Sequence, residues 1–186
     1  MNLANKLTLS RVLLVFVFIF VMWSHLWDLK TTLWVALILF SVASITDFLD
    51  GYVARKYNLV TNLGKFMDPL ADKMLVMAAM IAIVDRGPLP AGVLPAWIVV
   101  LILIREFAVS GIRLLAANQN TVIAASPLAK FKTVTQMVMI ILFLLPIESS
   151  FLQISTMIFM YLALVLTVLS GIQYVIVNKE VFKDEK

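Results

Sequence analysis

Residues 47–72 read DFLDGYVARKYNLVTNLGKFMDPLAD, and this stretch decides the fold. Asp47 and Asp50 sit near the end of one long apolar segment, and Asp68 and Asp72 near the start of the next, with a short basic connection between. An ionised side chain at the centre of a membrane span costs about 2.5–3.5 kcal/mol, less near the interface. Four uncompensated carboxylates would cost about 10 kcal/mol, comparable to a whole folding free energy. They therefore need a compensating charge, and a bound metal is the natural one. At 100° per helical residue, Asp47, Gly51 and Ala54 lie within about 60° of one another with Asp50 alongside. Gly64, Asp68 and Asp72 follow an i, i+4, i+8 stripe. Two antiparallel helices can thus present four carboxylates to one cavity. These are hard oxygen donors, suited to magnesium, manganese or calcium rather than zinc.

The surroundings make the bilayer the solvent. The 186 residues are 62% hydrophobic and 14% charged, against about 45–50% and about 25% in ordinary soluble domains. Mean hydropathy is +1.01. The length suits a single domain over residues 1–186, and the absence of cysteine excludes disulfides and thiolate chemistry. The net charge of +4 is divided among short connections rather than gathered into a basic face, which argues against nucleic acid.

Working outward, six apolar segments emerge: Leu9–Trp27, Thr32–Ala54, Phe66–Val84, Val93–Ala116, Phe131–Leu145 and Leu152–Val177. Turn chemistry separates them, notably at Arg86-Gly87-Pro88-Leu89-Pro90 and Asn118-Gln119-Asn120. The expected architecture is an all-α polytopic membrane protein with six transmembrane helices. No small-x-small cleavage site follows the first segment, so it is expected to be retained. Lys6, Arg11, Arg55, Lys56, Lys65, Lys130, Lys132, Lys179, Lys183 and Lys186 fall on one side of this topology, and only Lys30 and Arg86 on the other. Basic residues stay in the cytoplasm, which places both termini there. Trp23, Trp27, Trp34 and Trp97 gather at the opposite ends of the spans, where indoles favour the interface.

Simpler readings exist for parts of this pattern. Asp68-Pro69 has the chemistry of a helix start, with Asp as N-cap and Pro at the first helical position, and Asp72 would then favour the dipole of the first turn. That account leaves Asp47 and Asp50 unexplained. In the fourth segment Arg105, Glu106 and Arg113 interrupt an apolar run. Glu106 and Arg113 lie nearly on one face, about 10 Å apart along the axis, and a structural ion pair with a neighbour would also explain such charges. Lys130 and Lys132 open the fifth segment, with Thr133 and Gln136 one turn on. Together, Arg105, Arg113, Lys130 and Lys132 offer cations suited to a phosphorylated ligand. His25, the one histidine, lies at the tryptophan-bearing end and cannot by itself form a zinc site.

The stretch at 47–72 resembles the signature of the CDP-alcohol phosphotransferases, D-x2-D-G-x2-A-R-x8-G-x3-D-x3-D, at all eight fixed positions. The resemblance implies a six-helix membrane fold, often dimeric, with a cytoplasm-facing cavity. Asp47, Asp50, Asp68 and Asp72 would be ligands of divalent metal, a pair of magnesium or manganese ions, and Asp72 also the general base. Asp50, Gly51, Ala54, Arg55, Gly64 and Asp68 would line the CDP part of the site. Over nearly its whole length the chain also resembles the bacterial phosphatidylglycerophosphate synthases. Asn5-Lys6-Leu7-Thr8 with Arg11, REFAVSGIR at 105–113 and KFKTVTQ at 130–136 carry that likeness. Ala129 departs from the glycine usual there. On this likeness CDP-diacylglycerol is the donor and sn-glycerol 3-phosphate the acceptor, Arg105, Arg113, Lys130 and Lys132 bind the acceptor phosphate, and the enzyme is a homodimer in the bacterial cytoplasmic membrane.

Two rivals are defined by what they would require. A sister enzyme would take inositol phosphate, phosphatidylglycerol or serine, of which the basic residues disfavour serine. A divalent-cation transporter would spread acids through its core and break its helices, whereas these aspartates cluster beside Arg55 and several lysines.

Overall fold

The computed structural model describes the backbone of residues 3–57, 62–118, 123 and 126–179, and the side chains among them other than those of 3–9, 11, 47–57, 62–72 and 118. Within this set the chain is six α-helices: α1 (Leu3–Trp23), α2 (Leu29–Tyr57), α3 (Asn62–Arg86), α4 (Ala96–Asn118), α5 (Pro127–Leu144) and α6 (Ser150–Val177). The described residues form no strand, and their one isolated bridge joins Leu89 to Gly92.

Turn and cap chemistry sets the limits. The first helix stops at Trp23 rather than Trp27, because His25 adopts a φ of 51°, which a right-handed helix does not allow. Asp28 then caps α2: its carboxylate accepts from the Thr31 N–H at 3.1 Å and the Thr31 hydroxyl at 2.7 Å. Those bonds hold the exposed Asp28 carboxyl below the usual carboxylate range, the Thr31 hydroxyl contributing most. At α5, Ser126 accepts from the Ala129 N–H at 3.2 Å and Pro127 occupies the first turn. Gly87 and Gly92, with φ of 75° and 120°, form the turns between α3 and α4.

The simpler reading of Asp68-Pro69 as a helix start does not hold, since α3 begins at Asn62, ahead of the apolar segment at Phe66, and runs through both residues. Pro69 has no N–H to return to the carbonyl four residues back, a cost that an N-terminal proline would avoid.

The core joins all six helices. Phe18, Met22, Leu33, Phe40, Met80, Ile83, Ile98, Ile102, Met139, Ile140, Phe143 and Leu144 are its largest fully buried side chains. α5 packs most extensively on α6, and α1 on α3 and α2. Large apolar side chains remain on the outside of every helix, among them Phe16, Ile38, Ile81, Phe107, Phe131 and Phe151. A solvent of hydrocarbon favours such a surface and water does not. By length and composition α5, α6 and the Leu29–Thr46 part of α2 suffice to cross a membrane, while the apolar part of α1 is the shorter Val12–Trp23. α3 and α4 are long enough but carry charges, including Lys73, Arg105, Glu106 and Arg113. Those four charges share one location.

Candidate active site

Four helices enclose a cavity of about 190 Å3. α3 contributes Lys73, Val76, Met77 and Met80, and α4 contributes Ile102, Arg105, Glu106, Val109 and Arg113. Ala129, Lys130, Lys132, Thr133 and Gln136 come from α5, and Tyr174 from α6. Each set follows the i, i+3, i+4 spacing that gives a helix one continuous face. Val76, Met77, Met80, Ile102 and Val109 are among the apolar part of the lining. Among the described residues this lining holds five basic side chains and one carboxylate.

That carboxylate organises the polar part. Glu106 accepts from Arg105 Nη1 at 3.0 Å and forms a second ion pair with Lys132. Lys132 is 4% exposed, so its ammonium needs a partner. Glu106 also turns its backbone carbonyl to the Ser110 hydroxyl at 2.6 Å, and Ser110 bonds Lys73. The glutamate thus ties α4 to α5 directly, and Ser110 ties α4 to α3. The structural ion pair with a neighbour that such charges allow is what forms at Glu106. Lys132 reaches Glu106 from the neighbouring helix, and Arg113 turns to α6, where its Nε donates to Tyr174 Oη at 3.2 Å.

The structure therefore brings Arg105, Arg113, Lys130 and Lys132 into one cavity. Arg105 and Lys132 are partly neutralised by Glu106, so an ion pair and a cationic pocket coexist. Lys73 and Tyr174 line it too, and Ser110 and Ser170 bond Lys73 and Arg105 from beside it, none of them having stood out in the sequence. Lys73 directly follows Asp72, a signal that was available. The α6 residues look like ordinary hydroxyl side chains of an apolar helix.

The remaining candidates belong to the neighbouring pair of helices. Asp47, Asp50, Gly51, Ala54 and Arg55 fall on α2, and Gly64, Asp68 and Asp72 on α3. Their side chains lie outside the described residues. α2 and α3 pack on one another, so the two halves of the motif come from adjacent helices. Among the described residues no three His, Cys, Asp or Glu side chains stand together. The four aspartates carry the carboxylate oxygens of the motif, donors of a kind that suits magnesium or manganese.

An all-helical bundle with an apolar exterior, a cationic cavity and an aspartate motif on adjacent helices defines a membrane enzyme that handles phosphates. Residues 1–169 match the family model for CDP-alcohol phosphatidyltransferase, and the chain belongs to that family. It is 42% identical to the CDP-diacylglycerol–glycerol-3-phosphate 3-phosphatidyltransferase of Bacillus subtilis (strain 168), over 98% of this chain and 97% of that one. A probable phosphatidylglycerophosphate synthase of Mycobacterium tuberculosis is 42% identical over 94% of this chain and 80% of its own length. The Haemophilus influenzae 3-phosphatidyltransferase is 33% identical over 96% and 94%. The chain is accordingly a phosphatidyltransferase-family enzyme, and the family as a whole depends on divalent metal.

Proposed function

We propose that this chain transfers the phosphatidyl group of CDP-diacylglycerol to sn-glycerol 3-phosphate, giving phosphatidylglycerophosphate and CMP. The observation that carries the acceptor is the cavity, whose described lining has five basic side chains, one carboxylate and several apolar residues. Such a lining suits a small phosphate monoester, and the full-length similarity to enzymes named for glycerol 3-phosphate supports the same acceptor.

The residues divide the chemistry. Arg105, Arg113, Lys130 and Lys132 hold the acceptor phosphate through charge-assisted hydrogen bonds. Asp72, one residue before the cavity-lining Lys73, takes the proton from the acceptor hydroxyl. That oxygen bonds to the phosphorus carrying diacylglycerol. The bond from this phosphorus to the bridging oxygen breaks, and CMP leaves with the electron pair. Asp50, Gly51, Ala54, Arg55, Gly64 and Asp68 receive the CDP moiety, the small residues allowing close approach to the backbone. Asp47, Asp50, Asp68 and Asp72 hold divalent metal, a pair of magnesium or manganese ions, whose charge when bound offsets that of the diphosphate.

The single domain is read as six spans in the bacterial cytoplasmic membrane, both termini and the cavity facing the cytoplasm. The distribution of Lys and Arg supports this orientation. A homodimer is part of the same reading.

The test is CMP release by the detergent-purified chain with CDP-diacylglycerol and magnesium, each acceptor supplied separately. Release with glycerol 3-phosphate alone, abolished by chelation and restored by magnesium, is the expected result. Release with inositol phosphate or serine instead would replace the acceptor and keep the aspartate chemistry.

A further inference from the structure

α6 is apolar along nearly its whole length, and its buried exceptions fall on one stripe. Thr167, Ser170 and Tyr174 are 0%, 1% and 5% exposed, and with Gly171 they stand at i, i+3, i+4 and i+7. Each meets a polar side chain that lines the cavity or spans into it. Gln136 Nε2 donates to Thr167 Oγ1 at 3.3 Å, Arg105 Nη2 to Ser170 Oγ at 3.0 Å and Arg113 Nε to Tyr174 Oη at 3.2 Å.

The hydroxyls are set up as acceptors. Thr167 Oγ1 gives its proton to the Ala163 carbonyl at 2.6 Å, and Ser170 Oγ to the Thr167 carbonyl at 3.1 Å. With their protons turned back to the helix, these oxygens offer lone pairs outward, as a guanidinium or amide donor requires. Packing alone would be served as well by alanine or valine.

Gly171 completes the arrangement. A Cβ there would stand 3.0 Å from Arg105 Cγ and 3.7 Å from its Nε, so the arginine crosses α6 where no side chain is in the way. Arg105 Nε is buried and has no hydrogen-bond partner among the described residues, so the space over Gly171 and the bonds at Nη1 and Nη2 set the arginine's position. Arg113 is held differently. Its guanidinium carbon lies 5.7 Å from the centre of the Tyr174 ring while its Nε bonds the same residue's hydroxyl. Engagement at Nε leaves the two terminal nitrogens for a ligand, the end of the fork that matches phosphate oxygens.

We infer that Ser170, Gly171 and Tyr174 are positioning residues for the acceptor: they fix the guanidinium groups of Arg105 and Arg113 so that the cavity favours a phosphate monoester. This rests on the reading of the cavity as the acceptor pocket. All three residues lie beyond residue 169, where the family match ends, so family membership does not assign them a role.

The experiment uses the full-length chain in detergent with magnesium, varying glycerol 3-phosphate and CDP-diacylglycerol in turn. Tyr174→Phe keeps the ring over Arg113 and removes only the hydroxyl. It is expected to raise KM for glycerol 3-phosphate about tenfold, as for a lost hydrogen bond to a charged group, with KM for CDP-diacylglycerol and the thermal midpoint unchanged. Gly171→Ala is expected to shift the same parameter by displacing Arg105. Arg113→Ala is the reference, and combined with Tyr174→Phe it should be no worse than alone, since the hydroxyl acts through the arginine. If Arg113→Ala raises the acceptor KM and the α6 variants do not, the positioning role is overturned and the pocket reading stands. Equal changes in both KM values with a lowered midpoint would make α6 merely structural and also overturn it. If Arg113→Ala leaves the acceptor KM unmoved, the pocket reading itself fails and takes the positioning role with it.

Discussion

The two ends of the bundle use charge in opposite ways. Where α1 and α3 finish, Asp85 accepts from Trp23 Nε1 at 2.6 Å and Arg86 Nε donates to the Met22 carbonyl at 2.6 Å. Gln153 on α6 adds a bond to the Pro90 carbonyl at 3.1 Å. Here each charged group meets a neutral partner and its work is to fasten one helix to another. At the other end Lys73, Arg105, Arg113, Lys130 and Lys132 surround Glu106, and like charges share one cavity. Among the described residues, cations outnumber carboxylates in this lining, whereas at the fastening end each charged group is bonded to a neutral one. The difference teaches that charge inside an apolar bundle is diagnostic by the partners it is given.

Variants at the two ends should separate accordingly. The largest effect belongs to the motif beside the cavity: Asp72→Asn should lower CMP release by about 10²–10⁴-fold, the range for a general base, and more if metal is lost with it. The melting midpoint in detergent should hold, and turnover equal to the parent's would remove Asp72 from the mechanism. Next comes Glu106→Gln, which leaves Lys132 buried beside other cations. A loss of about 3 kcal/mol is expected from breaking a buried pair, visible as a lowered midpoint, and phosphate added to the buffer should restore part of it by mass action. An unchanged midpoint would mean that water reaches Lys132. The smallest effect is at the fastening end, where Asp28 caps α2 in full exposure. Its lowered carboxyl pKa contributes stability above the unfolded value and loses it as pH falls through the folded one. Asp28→Asn should therefore lower the midpoint slightly at neutral pH and flatten its fall on the acid side, the two proteins converging at the acid end.

Much of this arrangement was legible in the residues, and the reasons differ by element. Six helices were legible because apolar runs of span length leave few other folds. Arg105, Arg113, Lys130 and Lys132 stood out because charge in an apolar run is costly and conspicuous. Their convergence could not be read from one helix at a time, because Glu106 and Lys132 meet from two different helices. α3 starts at Asn62, four residues ahead of the apolar segment at Phe66, because its first turn is polar and hydropathy does not mark it. Ser170 and Tyr174 gave no signal, since hydroxyl groups cost little in a helix that can bond them to its own carbonyls.

The uneven composition of the six helices has a consequence for biogenesis. α2, α5 and α6 are apolar enough to enter a bilayer on their own account, whereas each ionised residue near the middle of α4 adds about 2.5–3.5 kcal/mol to its insertion. In the membrane reading, the segments that bear the chemistry are the reluctant passengers. Glu106 of α4 meets Lys132 only once α5 has emerged from the ribosome, 26 residues later in the chain. Arg105 pairs Glu106 within α4, and Lys132 adds a second partner from a segment made later, so in that reading the polar face of α4 is completed only by chain that follows it.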